Sequence, residues 1–321
     1  MPKYLVKPRD QHVDLQICIP VYKRVNELLI LANSIRDSLD GLNYNLYFLL
    51  NGASEDVKTL VLEKLAKFNN TGVIFFEENI KEDIFIWPLR NLPRGHCWVI
   101  GDDDFVLGNA RDIVIKSLNN DLTILNYDLY DQNLENKVIE NYLGRDFLSN
   151  NQDIDIKNLF SIFGDKLCFI SSVIVNSKIL SFNSIGLPPK SFQYATLIYN
   201  SFAKYEIETR VFFEDQICFR QRGNNILNDD KHLTDDIFIN EIRFFYIRML
   251  KEPVYRFSAF FKLIELTFVL IPKRLIVCRI EGRVSNVRTF TFIDYLYLFV
   301  VKNILRVVPV TFLIFLRDFR K

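Results

Sequence analysis

Along the first hundred residues, continuous apolar runs alternate with stretches whose apolar positions recur every three or four residues. Residues 15–19 (LQICI) form an unbroken apolar run closed by Pro20, which predicts a short buried strand. Residues 26–39 place Leu28, Leu31, Ala32, Ile35 and Leu39 on one helical face, with Asn26 as the expected N-cap and Gly41 as the stop signal. Residues 44–50 (YNLYFLL) predict a second strand ending in the turn NGAS, and a helix follows over about 54–68. VIFFE (73–77) and CWVI (97–100) predict a third and a fourth strand. This order implies right-handed crossovers and an α/β fold with a mostly parallel sheet flanked by helices. Ligands of such sheets bind beyond the carboxyl ends of the strands. PVYK, NGAS and GDDD all stand at such ends, so these three loops are expected to converge on one crevice.

The middle of the chain is less regular. Residues 121–127 and 167–175 (LCFISSVIV) predict strands, 191–204 a helix, and 209–220 (TRVFFEDQICFR) a strand that delivers RQRGNN. From about residue 241 the character changes. Residues 257–271 place Phe257, Phe260, Phe261, Ile264 and Phe268 on one helical face. Residues 291–308 carry a narrow polar stripe, Asp294, Lys302 and Arg306, on an otherwise apolar helix, and the apolar run 310–316 is followed by RDFRK. No charge-free run reaches the roughly 18–20 residues of a membrane-spanning helix. Helices lying in the membrane interface are expected instead, the alternative being a helical subdomain that packs on the body or forms a dimer interface. The expected organisation is a domain over 1–240 and a basic, amphipathic helical region over 241–321.

Charge sharpens this division. Residues 243–321 carry 15 basic and 5 acidic residues, a net +10, which leaves −9 on residues 1–242. A basic, aromatic-rich tail on an acidic body points to a polyanion or an anionic membrane surface. With 49% hydrophobic residues and 29 phenylalanines there is ample material for a core, which excludes a disordered chain. The five cysteines are widely spaced and form no C-x-x-C pair, so reduced thiols in the cytoplasm are expected. His12, His96 and His232 are the only histidines, too few and too scattered for a zinc hydrolase. The N-terminal MPKYLVKPRDQ has no apolar core of a secretory signal.

The densest chemistry lies in WVIGDDDF, residues 98–105. An apolar strand ends at Gly101, and three carboxylates follow, Asp102, Asp103 and Asp104. Stacked like charges destabilise unless something positive sits among them. The usual partner is a hard divalent cation, Mg²⁺ or Mn²⁺, which takes oxygen ligands and bridges to substrate phosphates.

The strand–PVYKR opening, the turn NGASED, the GDDDF motif and the block SSVIVN…RQRGNN together resemble family 2 glycosyltransferases of the Rossmann-like GT-A fold, over about residues 14–225. The order GDDD, SSVIVN, R-x-R-G-N-N is similar to a branch that includes abequosyl-type transferases of O-antigen assembly. This chain departs from the family at Lys23, at Asn51-Gly52, where an Asp pair is usual, and at Gly101, where the acidic motif usually begins with Asp. The resemblance implies transfer of a sugar from a nucleotide-diphosphate donor to a glycan or lipid-linked acceptor, with Mn²⁺ or Mg²⁺ as cofactor. It places Pro20, Tyr22 and Arg24 beside the nucleobase. Asn51 stands where an Asp meets the base. Asp102 and Asp103 fall near the donor, with all three aspartates as candidate metal ligands. Arg90 and Arg94 are expected at the diphosphate or donor sugar, and Arg220 and Arg222 either at the diphosphate or in support of a turn at Gly223.

An inverting transferase also needs a carboxylate within reach of the acceptor hydroxyl. The resemblance points to the pair Glu214-Asp215, of which a strand presents only one to the cleft, with Asp165 as a further candidate. Nucleic acid is not expected as a partner; an anionic membrane surface on the cytoplasmic face and a second copy of the chain are. Two other classes compete. A sugar-1-phosphate nucleotidyltransferase would want a glycine-rich basic loop after the first strand, and PVYKRVNE contains no glycine. A non-catalytic membrane adaptor would show neither donor hydrolysis nor transfer.

Overall fold

The computed structural model describes residues 2–8, 13–66, 68, 70–131, 135–140, 143, 156–182, 192–204, 211–214, 219–222, 231–270, 275 and 301. The chain divides into two compact units, Met1–Asn224 and Asn225–Lys321.

The first unit is built on an eight-stranded sheet: β1 (Lys3–Val6), β2 (Leu15–Val21), β3 (Tyr44–Asn51), β4 (Thr71–Phe76), β5 (His96–Val99), β7 (Leu122–Leu125), β10 (Val173–Asn176) and β11 (Val211–Glu214). Its order is β1-β4-β3-β2-β5-β10-β7-β11. Strands β4, β3, β2 and β5 are mutually parallel, with Ile17 paired to Leu46 on one side and Trp98 on the other. Strand β10 runs antiparallel between β5 and β7. Helices α1 (Val25–Ser38), α2 (Glu55–Leu60), α3 (Asp83–Asn91), α4 (Ala110–Ser117), α5 (Ile156–Phe163) and α6 (Gln193–Lys204) connect the strands. Continuous apolar runs are what a sheet covered on both faces requires. Ile17, Cys18, Ile19, Phe48, Leu49 and Leu50 are accordingly fully buried. The predicted face of α1 holds: Leu28, Leu31, Ala32, Ile35 and Leu39 have no exposed surface.

A second sheet, β6-β12-β8-β9, combines Phe105–Val106, Phe219–Arg222, Asp128–Tyr130 and Lys137–Ile139. It explains one difference from the sequence reading. The run 209–220 contributes to both sheets: β11 pairs with β7 in the large sheet, whereas β12 pairs with β6 and β8 in the small one. A second difference concerns 167–175. Only Val173–Asn176 is strand, and the residues before it turn as 3₁₀ helix over Gly164–Cys168 and Ile170–Ser172. Helix α1 begins at Val25, so Arg24 and not Asn26 holds the N-cap position, without a side-chain cap.

In the second unit α7 (Lys231–Met249) runs without a break through residues 240 and 241, and α8 (Arg256–Glu265) continues as a π-helical turn, Leu266–Leu270. The two helices pack on each other. No helix among the described residues is long and apolar enough to cross a membrane. The expected helix 291–308 and the run 310–316 lie outside the described residues, apart from residue 301.

Candidate active site

The parallel run of β4, β3, β2 and β5 brings four carboxyl ends to one edge, and a cleft of about 570 Å³ opens there. PVYKR lines it from Pro20 to Arg24, NGAS contributes Asn51, and GDDD contributes Gly101, Asp102 and Asp103. The expected convergence of these three loops is therefore present. The loop after β4 and the first turn of α3 supply Asn79, Lys81, Glu82, Ile84 and Phe85. Sequence reasoning missed this segment, although the carboxyl end of the third parallel strand was the available signal.

The loops are tied to one another by side chains. Asn51 Nδ2 donates to Asn79 Oδ1 over 2.9 Å, and Asn51 Oδ1 accepts from the Ile80 amide over 2.8 Å. Asn79 Oδ1 also accepts from the Lys81 amide at 2.7 Å. That bond steadies Lys81, a non-glycine residue in the left-handed region at φ 53°. Such backbone persists only where surrounding contacts over-determine it, and it clusters at binding sites. The β3 turn approaches so closely that a Cβ on Gly52 (φ 63°) would lie 2.8 Å from the Asn79 amide nitrogen, so only glycine fits.

The acidic segment divides between two environments. Arg24 Nη1 forms an ion pair with Asp103 Oδ2 and lies 3.4 Å from Asp102 Oδ1. Burial, and the charge of Asp103 beside it, push the Asp102 carboxyl up to about 6 against the pull of Arg24. Asp104 is turned the other way. It is almost fully buried and accepts a hydrogen bond from Ser171 Oγ, which in turn accepts from the Gly101 amide over 2.9 Å. The Trp98 indole donates to the Ser171 carbonyl over 2.8 Å. The 3₁₀ turn that replaces a predicted strand thus delivers Ser171 as a clamp on the acidic loop, while its neighbour Ile170 lines the cleft.

Other expected site residues lie elsewhere. Arg94 donates to the Ser177 carbonyl over 2.6 Å, and both Arg94 and Arg90 sit over the Phe182 ring, 4.6 and 5.9 Å from its centroid; neither lines the cleft. Glu214 ends β11, is 4% exposed, and has the Lys116 ammonium of α4 at 3.9 Å. Asp165 is half-buried in the first 3₁₀ turn. Asp215 lies outside the described residues, as do the side chains of Arg220 and Arg222.

A divalent cation suits part of this arrangement. Mg²⁺ and Mn²⁺ are commonly held by one or two carboxylates with substrate phosphates completing the shell. Asp102 and Asp103 offer hard oxygens on the cleft wall and already attract a cation, the guanidinium of Arg24. Among the described residues no cluster of three or more His, Cys, Asp or Glu side chains is assembled around one point. The set therefore fits a cation that substrate oxygens help to hold, not a closed protein cage.

No protein-family model matches the sequence, and no curated protein matches it significantly. Solved structures do share the fold. They include S. aureus TarS, residues 1–349, with a TM-score of 0.57 at 11% identity over 79% of this chain and 70% of that one. The same protein in complex with UDP-GlcNAc gives 0.57 at 12% over 79% and 71%. Mannosyltransferase PcManGT from Pyrobaculum calidifontis, in complex with GDP-Man and Mn²⁺, gives 0.52 at 8% over 88% and 80%. The chain has the GT-A glycosyltransferase fold.

Proposed function

We propose that this chain is an inverting, metal-assisted glycosyltransferase that moves a sugar from a nucleotide-diphosphate donor to a glycan acceptor. The carrying observation is the cleft itself: four loops at the carboxyl ends of parallel strands, acidic on one wall, in a fold whose solved relatives hold UDP-GlcNAc or GDP-Man. The exposed ring of Tyr22 and the ring of Phe85 offer flat faces for a base. Arg24 and Lys81 offer positive charge for the diphosphate. A bound divalent cation would neutralise the departing diphosphate as a Lewis acid, with Asp102 and Asp103 on the cleft wall as its candidate ligands and Asp104 held behind them by Ser171.

The protein's own part is to deprotonate the acceptor hydroxyl as its oxygen attacks the anomeric carbon. Glu214 is engaged with Lys116, which leaves Asp215 as the preferred base and Asp165 as the next candidate. The abequosyl-type branch is the sub-branch that the motif order supports. A lipid-linked acceptor in surface-polysaccharide synthesis, met on the cytoplasmic face of a membrane, accords with the basic charge after residue 243.

The test is a thermal-shift screen of nucleoside-diphosphate sugars with and without Mn²⁺, followed by transfer assays with the stabilising donor. A donor that binds the native state raises the transition temperature in proportion to ln(1 + [L]/Kd). If no nucleotide sugar stabilises the protein under either condition, the reading fails.

A further inference from the structure

Helix α8 and its π-helical extension carry apolar side chains on two opposite sides. On one side Tyr255, Ala259 and Leu266 are buried, 0%, 0% and 5% exposed. On the other, Phe257, Phe260, Phe261, Ile264 and Phe268 stand open at 80%, 50%, 65%, 38% and 51%. The second set recurs at spacings of three and four, so it forms one continuous stripe along the helix. Soluble proteins scatter single exposed hydrophobic side chains, but five in one stripe, four of them phenylalanine, mark a surface that is covered in use.

We infer that this stripe seats the protein on an anionic lipid bilayer. The chemistry of the surroundings selects that occupant. Residues 243–321 carry a net +10, and residues 271–288 alone hold Lys273, Arg274, Arg279, Arg283 and Arg288 against Glu281. An apolar aromatic stripe in strongly basic sequence is the composition of helices that lie in the lipid interface, with rings among acyl chains and cations on head groups. The dimensions agree: Phe257 to Phe268 covers about 17 Å at 1.5 Å per residue, enough to lie in the interface and too short to cross about 30 Å of hydrocarbon. A net +10 over residues 243–321 also disfavours self-association of this region, because like-charged segments repel, and favours an anionic partner. Tyr255, Ala259 and Leu266 anchor the helix from its other side, so the stripe is presented on folded structure. The inference is independent of the sugar-transfer reading; if both hold, the bilayer is where a lipid-linked acceptor is met.

The test is co-flotation of the full-length protein with vesicles of phosphatidylcholine and phosphatidylglycerol. Wild type floats, and the triple variant F257S/F260S/F261S, whose replaced rings are all exposed, loses partitioning on the order of tenfold or more while keeping its far-UV spectrum and thermal transition. Pure phosphatidylcholine vesicles bind wild type at least several-fold less, because the basic residues gain their attraction only near an anionic surface. The inference is overturned if the triple variant floats like wild type, or if wild type stays unbound. It is also overturned if sedimentation shows that the stripe closes a dimer which the variant dissolves. Thermal shift with nucleotide sugars on the same preparations separates the two readings: loss of flotation with donor binding intact, or the reverse, removes one and leaves the other.

Discussion

Arg24 and Asp103 form an ion pair across the mouth of the cleft, and through it the acidic loop carries its own cation. The guanidinium comes from the loop after β2, the carboxylate from the loop after β5, strands that lie side by side in the sheet. Asp102 stands 3.4 Å from the same nitrogen. A divalent cation approaching these carboxylates must compete with Arg24. Because the Arg24 side chain is 38% exposed, the pair is worth about 1 kcal/mol and not several. Arg24→Met should therefore bind Mn²⁺ about fivefold more tightly than wild type in the absence of nucleotide. Mn²⁺ titration followed by electron paramagnetic resonance measures this; equal or weaker binding by the variant would show that Arg24 does not hold the cation's place.

Asp102 predicts a pH signature in metal-free protein. Its carboxyl is raised from an ordinary value of 3.8 to about 6 by burial and by Asp103. The folded state thus holds this proton more tightly than the unfolded chain does. The resulting stabilisation is complete below pH 4 and is lost as pH rises through 6. In EDTA, wild type should gain on the order of 1 kcal/mol relative to Asp102→Asn on going from pH 7.5 to pH 5. Parallel pH profiles for the two proteins would refute the assignment.

Ser171 connects two elements that sequence places seventy residues apart. Its hydroxyl accepts from the Gly101 amide and donates to Asp104. Ser171→Ala leaves a half-buried amide and a buried carboxylate short of a partner, at a cost of about 1–3 kcal/mol. The expected outcome is a lower thermal transition together with weaker donor stabilisation, since the acidic loop loses its clamp. A loss of stability with donor affinity unchanged would confine Ser171 to a structural role.

Gly52→Ala should damage the cleft without touching a charged group. The added methyl meets the Asn79 backbone, and a left-handed φ costs a further 1 kcal/mol or so. The loop bearing Asn79 and Lys81 must shift, so nucleotide affinity should fall more than global stability does. Isothermal titration beside thermal unfolding distinguishes the two.

For the base, Asp215→Asn should lower turnover by roughly 10²–10⁴ with donor affinity little changed. Glu214→Gln should act mainly on stability, through its contact with Lys116. If both variants keep turnover within a few-fold of wild type, Asp165→Asn is the decisive experiment.

Much of this architecture was legible in the residues alone. The buried runs at 15–19, 44–50 and 97–100 and the amphipathic run at 26–39 carry their period on their face, because parallel strands are covered on both sides and helices on one. From their order followed the parallel sheet, and from the sheet the meeting of PVYKR, NGAS and GDDD. The stripe from Phe257 to Phe268 was equally legible as a helical face, but only the folded unit shows that it is left open while Ala259 and Leu266 are buried. What tertiary structure alone decided are the pairings between distant loops. Arg24 meets Asp103, Asn51 meets Asn79, and Ser171 clamps Gly101 and Asp104, whereas Arg94 spends its donors on the Ser177 carbonyl. Periodicity records which face of an element is apolar. It does not record where a hydrogen-bonding group points once strands seventy or eighty residues apart are brought to one edge, and that direction assigns each polar residue to the cleft or to the scaffold behind it.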